Sequence, residues 1–212
     1  MVTVNAASPV AFKDDEDISP TYAEAVDVLS ALGIVKGQGK DDPREGKFMP
    51  KDPITRAEVA AMIYRVAHND ASESYASIYK DYERFPDVKS TSWYAGVANY
   101  CGNSEIIRGY PNGTFGPGRN VTGYEVLVMV LRMLGYGQNG ELEGKEWTTQ
   151  SMRYGRVAGL TKNIKEGTLG QTATREMVAE IMFQALQADL VEYNLFQNYH
   201  PAKELLPNDA DT

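Results

Sequence analysis

Cysteine is almost missing from this 212-residue chain. Cys101 stands alone, which excludes an internal disulfide and any zinc site built from several thiolates. Its neighbours Ala98, Tyr100 and Ile106 suit a buried structural thiol. Histidine is nearly as scarce: His68 and His200 lie far apart, at no metal-ligand or catalytic spacing, so most histidine-based chemistry is disfavoured. No run of roughly 18 apolar residues occurs, and no segment reads as a membrane-spanning helix. A complete signal peptide, with a basic start and an apolar centre, is also missing. Residues 1–11 nonetheless open with the small residues that flank a signal-peptidase cut, and they read as the start of a mature exported protein behind an added Met. Positive charge is in short supply too. With 21 Lys and Arg against 29 Asp and Glu, the net charge of −8 argues against a nucleic-acid binder, which normally carries a basic face to neutralise phosphates.

What is present is enough apolar sequence for a real core, 42% of the chain, arranged as a repeat. Three Thr residues able to cap a helix open apolar, helix-patterned stretches: Thr55 before Arg56-Ala57-Glu58, Thr122 before Gly123-Tyr124-Glu125, and Thr174 before Arg175-Glu176-Met177. The spacing predicts second helices over about 56–66, 123–134 and 175–186, with Val59, Met62, Ile63 and Val66 typical of their apolar stripes. Each is preceded by a first helix. The first of these runs from Thr21 to Leu32, with Ser19 as its expected N-cap, Pro20 suited to the first turn and Gly33 as terminator, and the other two begin near Trp93 and Trp147. After each first helix comes a matched segment, Gly33-Ile34-Val35-Lys36-Gly37, Glu105-Ile106-Ile107-Arg108-Gly109 and Gly159-Leu160-Thr161-Lys162-Asn163, with a basic residue fourth in all three. Residues 68–84 read as a linker and the best internal boundary, and the polar stretch after Val191 as a tail leading to a further region.

The Thr and Glu of the first two helix starts match a capping box, in which hydroxyl and carboxylate each satisfy a free backbone amide. Stability accounts for those residues but not for Arg56 and Arg175, since a cation in the first turn sits against the positive end of the helix dipole. Such a guanidinium suits either a bidentate carboxylate or phosphate, or an Asp or Glu of the next unit. Lys36, Arg108 and Lys162 are candidates because they recur. Trp93, Trp147, Tyr22 and Tyr110 are aromatic residues able to stack on a sugar ring or to pack beneath a loop. Asp87, like Asp14 and Asp15, stands before a first helix, where it caps or bridges. Asp41-Asp42 lacks the oxygen spacing of a calcium loop, and no metal or cofactor is indicated.

Phe85-Pro86-Asp87-Val88 followed by Trp93, then Ile107 to Pro117 (IRGYPNGTFGP), and Ile54-Thr55-Arg56-Ala57-Glu58 together resemble the S-layer homology motif, of which three copies span about Phe12 to Leu186. The resemblance implies an all-α fold of three helix-loop-helix motifs in a pseudo-threefold, trimer-like arrangement. It further implies a central three-helix bundle formed by the first helices, with grooves between neighbouring motifs. It divides the chain into motifs at 12–67, 85–136 and 137–191, the third degenerate, with the linker at 68–84 and the tail at 192–212. Its implied function is non-catalytic anchoring at the cell surface, through grooves that bind secondary cell-wall polysaccharide by a terminal pyruvylated N-acetylmannosamine. The pyruvate carboxylate would be the anion for Arg56 and Arg175. The alternative is an S-layer self-assembly module working through other S-layer subunits, and neither reading involves nucleic acid or membrane insertion. The expected ligand-binding set is Arg56, Arg175, Lys36, Arg108, Lys162, Trp93, Trp147, Tyr22, Gly109, Tyr110, Arg119 and Asp87. The second helix start departs from the pattern, with Gly123 for the arginine and Tyr124 for the alanine, so that Arg119 or Arg108 would have to substitute. The third carries Met177 for the glutamate and Asn163 for a loop glycine. Unequal grooves are therefore expected, with that of Arg56 foremost.

Overall fold

The computed structural model describes residues 11–193 and 199–201. The expected start of a mature exported protein, residues 1–10 of it, lies outside them, as does most of the tail. Six helices dominate: α1 (Ala23–Ala31), α2 (Arg56–His68), α3 (Ala95–Asn103), α4 (Gly123–Met133), α5 (Trp147–Val157) and α6 (Arg175–Ala185). The fold is all-α apart from a small antiparallel pair, β1 (Val191–Tyr193) and β2 (Tyr199–Pro201), which the polar tail did not lead us to expect.

The Thr-led starts form as their sequence requires. Thr55 accepts from the Glu58 amide while Glu58 Oε2 accepts from the Thr55 amide at 2.8 Å, and Thr122 with Glu125 repeats the reciprocal pair. Thr174 closes only half of it, accepting from the Met177 amide at 3.3 Å, because Met offers no acceptor in return. The cap expected at Ser19 does not form. Helix α1 begins at Ala23 without a side-chain cap, because the Ser19 amide and hydroxyl both donate to the buried Glu176 of α6. Gly33 ends the helix at φ +69°, which lets the Ile34 and Val35 amides turn back onto the Leu29 carbonyl.

The helices are joined in a cyclic order. Each first helix packs on the second helix of the preceding unit, α3 on α2, α5 on α4 and α1 on α6, while α2, α4 and α6 contact one another. Thus the second helices, not the first, make the central bundle, contrary to the arrangement the resemblance suggested. The reason lies in their composition. Helix α6 buries ten of its eleven residues and α5 only Ser151 and Gly155, so in the third unit the helix buried on several sides is the central one; α3, an outer helix, is also largely buried because the 3₁₀ turn Ser74–Tyr79 covers it. Fully buried Leu29, Ile63, Leu127, Leu131 and Ile181 line this core, each contributing about 1.5–3 kcal/mol by leaving water.

Backbone hydrogen bonds repeat the same order. The first amides of α2 donate to the second unit's loop (Arg56 to the Arg119 carbonyl, Ala57 to that of Pro117), those of α4 to the third unit's loop, and those of α6 to the first unit's loop at Asp52 and Pro50. Isolated bridges Thr55–Asn120, Thr122–Thr172 and Pro53–Thr174 join the same three pairs of units. Helix-start amides, which have no partner within their own helix, are thereby satisfied by a neighbour.

The stretch 68–84 is packed against the fold. Its 3₁₀ turn Ser74–Tyr79 lies on α3, where Asn99 donates to the Tyr79 carbonyl at 2.9 Å. Gly96 permits that approach, since a Cβ there would stand 2.2 Å from the Ala76 carbonyl oxygen.

Candidate functional site

In the first two units one aspartate builds the loop wall of a groove. Asp14 accepts from the Phe48 and Met49 amides at 2.7 and 2.8 Å, and Asp87 accepts from the Phe115 and Gly116 amides at the same distances. Phe48 and Phe115 are thereby pinned into the core. Asp87 thus organises a loop through both of its carboxylate oxygens. Gly109 belongs to the same device: it sits at φ +77°, and a Cβ would meet the Thr114 carbonyl oxygen at 2.9 Å. In the third unit Glu141 stands where the aspartate is expected and instead accepts from the Gly137 and Asn139 amides.

The first groove is a cavity of about 710 Å³. Lys36 and Gly37 form its loop wall, Glu58, Met62 and Arg65 its α2 wall, Arg175 enters from α6, and Trp93 stands at the rim. Only 9% of Arg175 is exposed, and each of its three guanidinium nitrogens donates one hydrogen bond within the protein. Nε donates to the Phe48 carbonyl at 2.7 Å, Nη1 to Glu58 Oε1 at 2.8 Å and Nη2 to the Lys36 carbonyl at 3.0 Å. Of the two partners left open for this arginine, the glutamate of the next unit is the one it has here. Burial lowers its pKa, and the nearby Glu58 opposes that shift. Lys36 Nζ donates to the Ala71 carbonyl at 2.7 Å; burial and then the neighbouring Arg65 push its pKa down. Trp93, by contrast, is 59% exposed and open to a flat ligand.

Around the second unit the same positions are differently filled. Arg56, 6% exposed, has its guanidinium carbon 4.8 Å from the centre of the Tyr110 ring and 5.5 Å from that of Phe115, and its buried Nε donates to nothing. Burial is the main cause of its lowered pKa. Arg119 also lies over the Tyr110 ring, at 4.2 Å, so that ring contacts two guanidiniums. Arg108, the counterpart of Lys36, pairs with Glu105 at 2.9 Å and with Glu143. Trp147, the counterpart of Trp93, is half-buried edge-on to Tyr124.

At the third unit's loop the helix-start arginine is missing, because the helix that packs there is α4. Gly123 occupies the arginine position, where a Cβ would stand 2.9 Å from the Leu169 Cα, and Lys162 points into solvent. Asn163 and Gln184 both donate to the buried Glu180 carboxylate, and the Tyr22 hydroxyl is held protonated by burial and by Glu176 and Glu180. This part of the fold holds buried acid and amide rather than arginine.

Sequence reasoning missed Arg65 and the double duty of Glu58. Arg65 donates to Glu73 at 2.7 Å and to the Ile34 carbonyl at 2.7 Å, and it lines the first groove beside Lys36. One signal was available, since Arg65 and Arg132 stand at the same step after their capping Thr residues. Glu58 caps with one oxygen and holds Arg175 with the other, a link across units that spacing along one unit does not reveal.

A family model described as the S-layer homology domain matches residues 11–60 and 84–127. The middle cell wall protein of Brevibacillus brevis is 32% identical over 187 residues, covering 88% of this chain and 16% of that protein. The surface layer protein of Brevibacillus choshinensis is 30% identical over 190 residues, covering 87% of this chain and 16% of that protein. The cellulosome-anchoring protein of Acetivibrio thermocellus is 31% identical over 91 residues, covering 42% of this chain and 19% of that protein. The chain spans about one sixth of the length of the two Brevibacillus relatives.

Proposed function

The chain belongs to the S-layer homology family, and on that premise we propose that it is a secreted, non-catalytic module that anchors its protein to the cell wall by binding wall polysaccharide in the grooves around its first two units. The single observation that carries this reading is the first groove itself. A cavity of about 710 Å³ joins a buried guanidinium, an ammonium and a largely exposed indole, the combination needed to hold an anionic sugar by charge on one side and by stacking on the other. A pyruvate ketal on N-acetylmannosamine is the ligand group proposed. Its carboxylate meets Arg175 and Lys36 in the first groove and Arg56 in the second, while Trp93 takes the ring face. The site at the third unit's loop, where Gly123 of α4 stands in the arginine position, contributes little.

Titration of the chain with purified wall polysaccharide, before and after chemical removal of pyruvate, tests this. Binding should fall at least tenfold on removal, and Trp93→Ala, Lys36→Ala and Arg56→Ala should each weaken it. Equal affinity for the pyruvate-free polysaccharide would overturn the ligand assignment, and no effect of the three variants would overturn the grooves. A self-assembly role is favoured by one separate feature, the exposed Tyr75, Ile78 and Tyr82 on the 68–84 stretch. Glycan-independent association in sedimentation, lost on replacing those three residues, would support it.

A further inference from the structure

Comparing the two arginine-bearing grooves position by position reveals a difference that the carboxylate-binding role does not use. Arg65 and Arg132 occupy equivalent places on α2 and α4. Arg65 is satisfied, by Glu73 and the Ile34 carbonyl. The Arg132 side chain is only 13% exposed, yet its Nε has no hydrogen-bond partner, and its Nη2 reaches Glu143 Oε1 no closer than 3.9 Å. The same Glu143 oxygen pairs with Arg108, on the loop wall. Glu143 belongs to the short segment leading into α5, immediately before Trp147, and its side chain is 46% exposed.

Around the second unit the positions equivalent to Arg175, Arg65 and Lys36 of the first groove are therefore Arg56 and Arg132, whose buried Nε atoms donate to nothing, with Arg108 beside the latter. The carboxylates that oppose them are already committed or loosely placed. Glu125 spends Oε2 on the Thr122 cap, Glu105 bridges Arg84 and Arg108 from the surface, Glu141 accepts from the Gly137 and Asn139 amides, and Glu143 spans Arg108 and Arg132. Burial and the neighbouring Arg108 depress the Arg132 pKa to about 10, consistent with a cation short of counter-charge. A buried guanidinium with an unbonded Nε is expensive to keep, and a carboxylate carried by an exposed side chain is a poor permanent partner.

We propose that Arg132 is a second anion-binding residue of the groove containing Arg56, that Glu143 holds its place in the free protein, and that this groove takes a glycan end bearing two oxyanions, one for Arg56 and one for the Arg108–Arg132 pair. The inference rests on the glycan-binding reading above and names its ligand more closely. The first groove, in which Arg65 is paired with Glu73 and only Arg175 and Lys36 face the ligand, takes a single anion. Glu143 Oε1 lies within ion-pair distance of both Arg108 and Arg132, and a ligand carboxylate or phosphodiester supplies the same group without a tether.

The test compares two probes on the full chain by calorimetry: pyruvylated N-acetylmannosamine, with one negative charge, and wall-derived oligosaccharides that carry the pyruvate ketal together with either a phosphodiester or a uronic acid. The readout is the ratio of the affinities for the doubly and singly charged probes. In Arg132→Gln that ratio should fall about tenfold, Arg132→Lys should recover part of it, and Glu143→Gln should raise it severalfold. Which of the two oligosaccharides shows the larger ratio identifies the second oxyanion. A ratio unchanged in Arg132→Gln, or lowered in Glu143→Gln, would overturn the proposal. Failure of the unaltered chain to bind either probe would instead overturn the glycan-binding reading itself. Thermal midpoints of the three variants within a few degrees of the parent exclude a folding defect as the cause.

Discussion

The two helix-start arginines look alike in sequence and should behave oppositely when removed. In Arg175→Ala the protein loses hydrogen bonds to the Phe48 and Lys36 carbonyls and an ion pair with Glu58. Breaking one side of a buried pair costs about 3–5 kcal/mol. The Glu58 side chain is 32% exposed and keeps its bond to the Thr55 amide, so its stranded oxygen can take water. That draws the expected loss to about 3 kcal/mol, a fall of about 6–12 °C in the melting midpoint for a chain of this size. In Arg56→Ala the losses are the contacts with the Tyr110 and Phe115 rings, about 0.5–2 kcal/mol. Against them stands the removal of a buried Nε without a partner, a burden of about 1–3 kcal/mol. The net change should lie within about 1 kcal/mol of zero. Urea unfolding of both variants without glycan, followed by circular dichroism, measures the difference, and a cycle combining Arg175→Ala with Glu58→Gln should return a coupling of about 1–2 kcal/mol. Equal losses in the two single variants, or no coupling in the cycle, would refute the assignment of Arg175 as a tie between units and of Arg56 as a free cation.

Three further outcomes follow from the packing. Gly123→Ala should destabilise the chain by about 1–3 kcal/mol in the same urea assay, because the new methyl meets the Leu169 backbone at 2.9–3.0 Å. Asp14→Ala and Asp87→Ala each strip two loop amides of a carboxylate acceptor. Each should cost about 2–3 kcal/mol and speed hydrogen exchange at Phe48 and Met49, or at Phe115 and Gly116. Cys101 is fully buried and its thiol is pushed well above its ordinary pKa by that burial, so iodoacetamide at pH 8 should label it only in denaturant; mass spectrometry gives the answer.

Most of the local structure was legible along the chain because its causes are local. A Thr three residues before a Glu caps whether or not the rest of the protein exists, as at Thr55 and Thr122, and Met177 weakens the third start for a reason visible in its side chain. The glycine at 33 reads as a terminator because a positive φ is needed there. Ser19 was misread by the same logic: it has the chemistry of a cap, but a carboxylate 157 residues away claims it. The strands β1 and β2 were missed because two three-residue strands carry too little alternation to announce themselves.

Sequence alone therefore determined the repeat, the helices, their capped starts, the lone inert thiol and the list of cations and aromatics from which any site would be made. Which helices form the centre, and which arginine is free, were decided only in three dimensions. Arg175 finds its partners 117, 127 and 139 residues away, across the closure of the cycle between the third unit and the first. Arg56 meets two aromatic rings instead and keeps an unbonded nitrogen. Two residues with the same neighbours in sequence differ because a guanidinium's charge is satisfied by whatever the chain brings to within about 3 Å, and only the folded chain sets that distance.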